Sequence, residues 1–226
     1  MPDQFIPFAE RTGLIIPMTL WVLQQALHQC RVWSEINLEI SVAVNLSMWN
    51  LEAQELPDQI EGLLRDTQVS PNSLELEITE TSIMNDPQRV IRTLSKIRDL
   101  GVRFAIDDFG TGYSSFAYLT KLPVSCIKID KSFVQNIESD RDSAVIVKSI
   151  IDLSHNLGLK VVAEGVETAA TKEMLQSFQC DEGQGYHFCR PITAEMMTSF
   201  LLDPPASVTA RTTSMAGSWP ALGEQT

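Results

Sequence analysis

The densest cluster of chemically useful residues is the segment DDFGTGYSS, residues 107–115. Its adjacent carboxylates, Asp107 and Asp108, follow an apolar run and could each reach a different divalent cation. Two such cations roughly 3.5–4 Å apart can activate a water and stabilise the leaving oxygen of a phosphodiester. The glycines favour a tight loop, and the Thr111 hydroxyl could contact phosphate oxygens. Taken alone, the segment could equally be a strand–turn–helix connection.

Polar residues also stand at the carboxyl ends of the other apolar runs. Asn45 offers a neutral oxygen ligand, and Glu77 lies two residues before Thr79, a spacing that points both side chains to one face of a strand. Lys128 could orient a water and stabilise developing negative charge, although a structural salt bridge would place a lysine there equally well. The candidate set is Asn45, Glu77, Glu80, Asp107, Asp108, Thr111, Lys128, Asp130, Glu164, Glu167 and Gln184.

The segment EGVE, residues 164–167, adds a candidate general base or second-metal ligand. Oxygen ligands without histidine or cysteine favour Mg²⁺ or Mn²⁺ over Zn²⁺. One or two acids at strand ends could be helix N-caps or solvated turns, but six successive occurrences favour one shared site.

These residues need a scaffold that brings strand ends together. The chain alternates apolar, β-branched runs with amphipathic runs, which indicates parallel strands joined by helices. Strands are predicted at 41–45, 74–78, 103–107, 126–130, 160–164 and near 183–186. Helices are predicted at 18–33, 56–67, 87–100, 143–157, 169–178 and 194–202. A (β/α)₈ barrel gathers all its strand ends at one mouth, whereas an open doubly wound sheet gathers only those at a switch point, so a TIM-like barrel is favoured.

The number of strands is two short of a closed barrel. The opening PDQFIPFAE predicts a loop and a short helix, so we expect a barrel that is incomplete at its N-terminus, with about six of eight strands. A partner could supply the rest, or the chain could be a fragment or have a misplaced start. Residues 1–202 are predicted to form this domain, and 203–226, rich in Pro, Ser, Thr, Ala and Gly, a disordered tail.

Composition narrows the classes of partner. A net charge of −12 argues against a non-specific nucleic-acid binder but not against an anionic substrate held by metal ions. The four cysteines have no C-x-x-C spacing and are interpreted as reduced thiols of a cytoplasmic protein. Neither a signal peptide nor a membrane-spanning apolar run is predicted. A barrel enzyme acting on sugars is an alternative, although two carboxylates suffice for that chemistry.

The motifs together resemble the EAL domain family. They are, in order, PDQFIPFAE (2–10), NLS (45–47), ELEITE (75–80), DDFGTGYSS (107–115), LPVSCIKID (122–130), VVAEGVE (161–167) and GQGYHFCRP (183–191). The resemblance implies a modified TIM barrel that hydrolyses the bacterial second messenger cyclic di-GMP to linear pGpG. It also implies Mg²⁺ or Mn²⁺ as cofactor, inhibition by calcium, a homodimer, and often an upstream sensor or diguanylate cyclase domain.

The resemblance also assigns roles to individual residues. It makes Asn45, Glu77 and Asp107 ligands of one metal and gives Asp108 to a second. The other implied roles are Glu164 as ligand or base, Lys128 as water-orienting group, Glu80 as anchor of the DDFGTGYSS loop, and Asp130, Glu167 and Gln184 as further active-site positions.

One family motif, E-x-L-x-R upstream of PDQFIP, does not occur in the chain. In the family its glutamate binds metal and its arginine contacts a substrate phosphate. Without that arginine, substrate affinity is expected to fall by roughly 1.5–3 kcal/mol. Catalysis therefore competes with two alternatives: a non-catalytic module that binds cyclic di-GMP or docks a protein, and a non-functional fragment. The intact remaining motifs favour a truncated enzyme.

Overall fold

The computed structural model describes residues 2–84, 86–112 and 116–203. The predicted tail lies outside the described residues apart from Asp203, which follows the last helix. The chain forms two compact units. The first comprises the chain up to Asp107 together with Thr111–Ser125, and the second comprises Asp108–Gly110 together with the chain from Cys126 onward.

The first unit is built on parallel strands in sequential order. They are β1 (Val42–Leu46), β2 (Leu74–Thr79) and β3 (Arg103–Phe109), whose last residues already belong to the second unit. Asn45 pairs in register with Glu77, and Thr79 pairs with Asp107. Because side chains alternate along a strand, this register directs Asn45, Glu77 and Asp107 to one face of the sheet.

Helices precede and connect these strands, and several of them pack against each other. They are α1 (Pro2–Thr12), α2 (Ile15–Glu35), α3 (Met48–Glu52), α4 (Leu56–Thr67), α5 (Glu80–Met84), α6 (Pro87–Asp99) and α7 (Phe116–Leu119). Helix α2 buries one stripe, including Leu23, Leu27 and Cys30, against β1 and α4. The spacing of three to four residues is that of one helical face.

The second unit repeats the strand–helix pattern. Its parallel strands are β4 (Cys126–Ile129), β5 (Lys160–Glu164) and β6 (Glu182–Gln184). Its helices are α8 (Lys131–Val134), α9 (Arg141–Asn156), α10 (Ala169–Ser177) and α11 (Ala194–Leu202). Lys128 pairs in register with Val162, and Glu164 pairs with Gln184, so Lys128 and Glu164 face the same side.

The predicted strands and the longer helices are all present, with shifted ends. Strand β4 stops at Ile129, one residue before the predicted end, because Asp130 becomes the N-cap of α8 and accepts a 3.0 Å hydrogen bond from the Ser132 amide. The helical turns α3, α5, α7 and α8 were not predicted, since four- or five-residue segments carry too little periodicity. The opening segment is one helix of 11 residues.

Among the described residues no single helix is long and apolar enough to cross a membrane. Within the same part of the chain, one bent pair, Gln4–Thr12 and Ile15–Glu35, which meet at 119°, reaches the required length and composition together.

Candidate active site

The first unit contributes three oxygen ligands on neighbouring strands. Asn45 near the end of β1 stands beside Glu77 on β2, at the spacing of adjacent strands, about 4.8 Å. Glu77 is 7% exposed, and Asp107 follows on β3 with the same facing. The register directs these three side chains to one side of the sheet. Their role as metal ligands stays a prediction.

Glu80, for which a loop-positioning role is predicted, lies beside Gly112 of the glycine-rich loop. It is 3% exposed at the start of α5. A Cβ atom added to Gly112 would come within 2.9 Å of Glu80 Oε1. The carboxylate therefore packs directly on the loop backbone, and a side chain at Gly112 would require it to shift. Thr111, the preceding residue, is exposed on the same loop.

Asp108 has an unusual backbone. Its φ of +52° lies in the left-handed region, which costs a non-glycine residue roughly 1–2 kcal/mol. An aspartate tolerates this conformation better than a branched residue does. A carboxylate oxygen of Asp108 lies within 4.8 Å of one from Glu164 on β5. Backbone strain of this kind is concentrated at functional sites.

Lys128 and Glu164 form a close ion pair. The Lys128 ammonium lies 2.6 Å from Glu164 Oε1, and the two side chains are 6% and 19% exposed. The pair thus places a desolvated cation next to the carboxylate that approaches Asp108. A charge in this setting acts more strongly than it would in water.

Asp130 combines two contacts. Its carboxylate caps α8 through Ser132, and Asp108 is among the neighbouring groups that lower its pKa. Burial raises the pKa of Asp130, but the Ser132 hydrogen bonds, the Asp108 contact and the Lys131 charge outweigh burial, so the pKa lies below its usual range. Strand-end acids were interpreted either as helix N-caps or as members of one shared site. Asp130 is a helix N-cap that also lies beside the candidate site residue Asp108.

The segment 164–167 is shaped by two glycines. Gly165 has φ +72°, and a Cβ there would lie 2.6 Å from Lys131 Cβ. A Cβ on Gly185 would lie 2.1 Å from the Val166 carbonyl oxygen. This close approach allows the Val166 amide to donate to the Gln184 carbonyl and the His187 amide to donate to the Val166 carbonyl, both at 3.0 Å.

Glu167 and Gln184 are exposed and line one opening beside Glu164. This cavity of about 440 Å³ is lined by Lys131, Gln135, Glu164, Gly165, Glu167, Gln184, Gly185 and Tyr186. Gln135 donates a 2.9 Å hydrogen bond to Glu167 Oε1. Sequence reasoning missed Gln135 because no pattern marked α8 as a helix.

The donor chemistry fits a hard divalent cation. Asp108 and Glu164 oxygens within 4.8 Å of each other can both reach one ion at the roughly 2.3–2.6 Å of Ca²⁺, and the shorter distances of Mg²⁺, about 2.0–2.1 Å, require a separation of no more than about 4.2 Å. The three carboxylates of Asp108, Asp130 and Glu164 carry more negative charge than the buried Lys128 ammonium neutralises, so the local charge also favours binding of a cation. A metal site at these residues is therefore supported, while the choice of metal is not fixed by the donors.

The EAL domain family model matches residues 1–191. The chain is 40% identical over 205 residues to the signaling protein YkoW of Bacillus subtilis, covering 91% of this chain and 26% of the relative. It is 42% identical over 197 residues to MucR of Pseudomonas aeruginosa, named a bifunctional diguanylate cyclase/cyclic di-GMP phosphodiesterase, covering 87% of this chain and 29% of MucR.

A solved structure, described as the PaMucR phosphodiesterase in complex with c-di-GMP, superposes with a TM-score of 0.84 at 41% identity. The match covers 87% of this chain and 80% of that one. The predicted fold class, a TIM-like barrel of EAL type, is thereby confirmed. The chain spans about a quarter to a third of the length of the curated relatives it matches. The family match over residues 1–191 shows that the chain belongs to the EAL domain family.

Proposed function

We propose that this chain hydrolyses cyclic di-GMP to linear pGpG in a metal-dependent reaction. The observation that carries the proposal is the arrangement around Glu164: an Asp108 carboxylate oxygen within 4.8 Å and the Lys128 ammonium at 2.6 Å. Hydrolysis of a phosphodiester needs a cation site and a positive group near the attacking water. The choice of cyclic di-GMP as substrate is supported by relatives at 36–42% identity that are named as cyclic di-GMP phosphodiesterases.

Each protein group has a part in this reaction. Asn45, Glu77 and Asp107 on the first unit, and Asp108 and Glu164 on the second, are assigned to cation binding. When bound, Mg²⁺ or Mn²⁺ would polarise the phosphodiester and lower the pKa of a coordinated water.

The bond changes concern one of the two phosphodiesters in the ring. The water oxygen bonds to phosphorus while the bond from phosphorus to a ribose oxygen breaks, which opens the ring. Lys128 orients the water, and a carboxylate of the 164–167 segment accepts its proton. Solvent returns a proton to the released ribose oxygen. Asp130 holds α8 in place, Glu80 and Thr111 position the loop, and Glu167 and Gln184 meet the substrate at the opening beside Glu164.

The test uses the purified chain with cyclic di-GMP and Mn²⁺, with pGpG followed by chromatography. Asp108→Asn should lose at least about 100-fold in kcat, since it removes a charged ligand. Asp99→Asn, a matched change at an exposed carboxylate on α6, should leave turnover unchanged.

Calorimetry in Ca²⁺ measures substrate binding separately. Binding without turnover would replace the proposal by a non-catalytic binding module, and neither binding nor turnover would refute both.

A cytoplasmic location and a homodimer belong to the same proposal. The structure describes all four cysteines as thiols, and three of them are buried, as in proteins of a reducing compartment. Light scattering coupled to size-exclusion chromatography tests the dimer, and a single 25.2 kDa species would contradict it.

A further inference from the structure

A run of three side chains, one helical turn apart, lies along the segment that carries Glu164 and Glu167. The three are Lys131, Gln135 and Glu138, at positions i, i+4 and i+7 of α8 and the turns that continue it. That spacing places them on one helical face. We call this face the α8 clamp.

Each member of the α8 clamp contacts a different part of the opposite segment. The Lys131 Cβ leaves no room for a side chain at Gly165. Gln135 Nε2 donates to Glu167 Oε1 at 2.9 Å. Glu138 Oε1 accepts hydrogen bonds from the Thr168 hydroxyl and, at 2.5 Å, from the Thr171 hydroxyl. The contacts advance along both segments together, so the clamp fixes the register of one against the other.

The turn that carries the α8 clamp is anchored by buried aliphatic side chains. Val134 and Ile137, which alternate with its members, are 0% and 2% exposed. Burying two aliphatic side chains stabilises this turn far more than the exposed hydrogen bonds do. The backbone at Gln135 and Glu138 is therefore held in place by the burial of Val134 and Ile137, and it does not depend on the hydrogen bonds of the Gln135 and Glu138 side chains.

Glu138 secures the far end of the segment. Thr168 is the N-cap of α10, and its Oγ1 accepts a hydrogen bond from the Thr171 amide at 2.9 Å. By binding the cap hydroxyl, Glu138 ties the start of α10 to the α8 clamp. Glu167, the residue before the cap, is thereby fixed on both sides.

We propose that Gln135 and Glu138 are positioning residues that set the carboxylate of Glu167 toward the opening beside Glu164. This inference rests on the proposed hydrolysis of cyclic di-GMP. Gln135 is the more direct of the two, because its amide donates one hydrogen bond to the carboxylate and holds it in one rotamer. Neither residue needs to touch the substrate for this role.

The first test replaces the donor while keeping the shape. Gln135→Glu removes the amide donor and sets two carboxylates against each other, so kcat should fall about 3- to 10-fold with KM within twofold. Gln135→Lys restores a donor and should recover most of the rate. Gln176→Glu, the same change at an exposed position of α10, is the matched control and should have no effect.

A second test does not depend on turnover. Hydrogen–deuterium exchange of the segment 164–168 should accelerate at least about threefold in Gln135→Glu and in Glu138→Ala. In the double variant Gln135→Glu/Glu167→Gln the donor and acceptor are exchanged, so protection should return although activity does not.

The outcomes separate the two proposals. Unchanged exchange in Gln135→Glu, or no recovery in the exchanged pair, would overturn the positioning role whether or not the chain is an enzyme. Restored protection in a chain that never produces pGpG would support the α8 clamp and refute the hydrolysis. Equal rate losses in Gln135→Glu and Gln135→Lys would also contradict the inference, because the second variant keeps a donor.

Discussion

The Lys128 ammonium lies 2.6 Å from Glu164 Oε1 in a setting where the two side chains are 6% and 19% exposed. Removing one partner of such a pair leaves a poorly solvated charge. Lys128→Met should lower the free energy of unfolding by about 3 kcal/mol, the low end for a buried pair, because Glu164 keeps some solvent contact. Urea denaturation followed by circular dichroism measures the loss.

The exposed pair Lys148–Asp152 on α9 provides the control, with side chains 39% and 55% exposed. Lys148→Met should cost less than about 0.5 kcal/mol. Adding Glu164→Gln to Lys128→Met should cost less than the sum of the single changes, since it removes the stranded charge. Equal losses at Lys128 and Lys148 would show that the 2.6 Å pair contributes nothing beyond an exposed one.

Gly185 is expected to be irreplaceable. An added Cβ would lie 2.1 Å from the Val166 carbonyl oxygen and 2.4 Å from its nitrogen, and backbone atoms of a paired segment cannot move aside. Gly185→Ala should therefore displace the 164–167 segment, cost about 1–3 kcal/mol of stability and abolish turnover. Gly62→Ala on α4, where the nearest atom lies 3.8 Å away, should instead stabilise by about 0.5–1 kcal/mol. A folded, active Gly185→Ala protein would contradict the described packing.

Gly112 and Glu80 should behave as a coupled pair. Gly112→Ala brings a methyl group within 2.9 Å of the buried Glu80 carboxylate and should destabilise by about 1–3 kcal/mol. In a Glu80→Ala background the same change meets open space and should cost much less. A double-mutant cycle of thermal unfolding measures the coupling. Additive losses would mean that the two residues do not touch.

Thiol reactivity should distinguish the cysteines. Burial raises the pKa of Cys180 to about 12, and burial also raises the pKa of Cys30 above its usual value, so both thiols stay protonated at pH 8. Cys189 is exposed. Iodoacetamide at pH 8 should label Cys189 and leave Cys180 unlabelled until the protein is unfolded, as read by peptide mass spectrometry. Early labelling of Cys180 would contradict its burial.

The stabilising effect of Glu138 should depend on pH. Hydrogen bonds from the Thr168 and Thr171 hydroxyls hold the pKa of Glu138 below its usual range. The folded state therefore favours the ionised form, and the benefit is full above the unfolded pKa of about 4.3 and is lost as the pH falls through the lower folded pKa. The wild type should unfold at higher urea than Glu138→Gln at pH 7, and the gap should narrow as the pH falls below the unfolded pKa of about 4.3 and through the lower folded pKa. A gap that is constant with pH would contradict ionisation-dependent bonding.

Much of this protein was determined by its sequence alone. Alternation of β-branched and amphipathic runs predicted the strands and the longer helices to within a few residues, because hydrophobic periodicity is local. Polar residues at strand ends, such as Asn45 and Glu77, were predicted to converge at one end of a barrel, and the register of β1 with β2 places these two side by side. The family could be recognised because its motifs are short, polar and ordered along the chain.

Other features were decided only by the tertiary structure. The sequence gives no indication of the left-handed backbone at Asp108. It also does not predict the contact of Lys128 with Glu164 or those of the α8 clamp, because each joins segments that are far apart in the sequence. The sequence allowed Asp130 to be a helix N-cap, but only the structure shows that it caps α8 and lies beside Asp108. Such contacts depend on packing between strands and helices more than 20 residues apart. Periodicity cannot encode them, since it reports only which face of an element is buried.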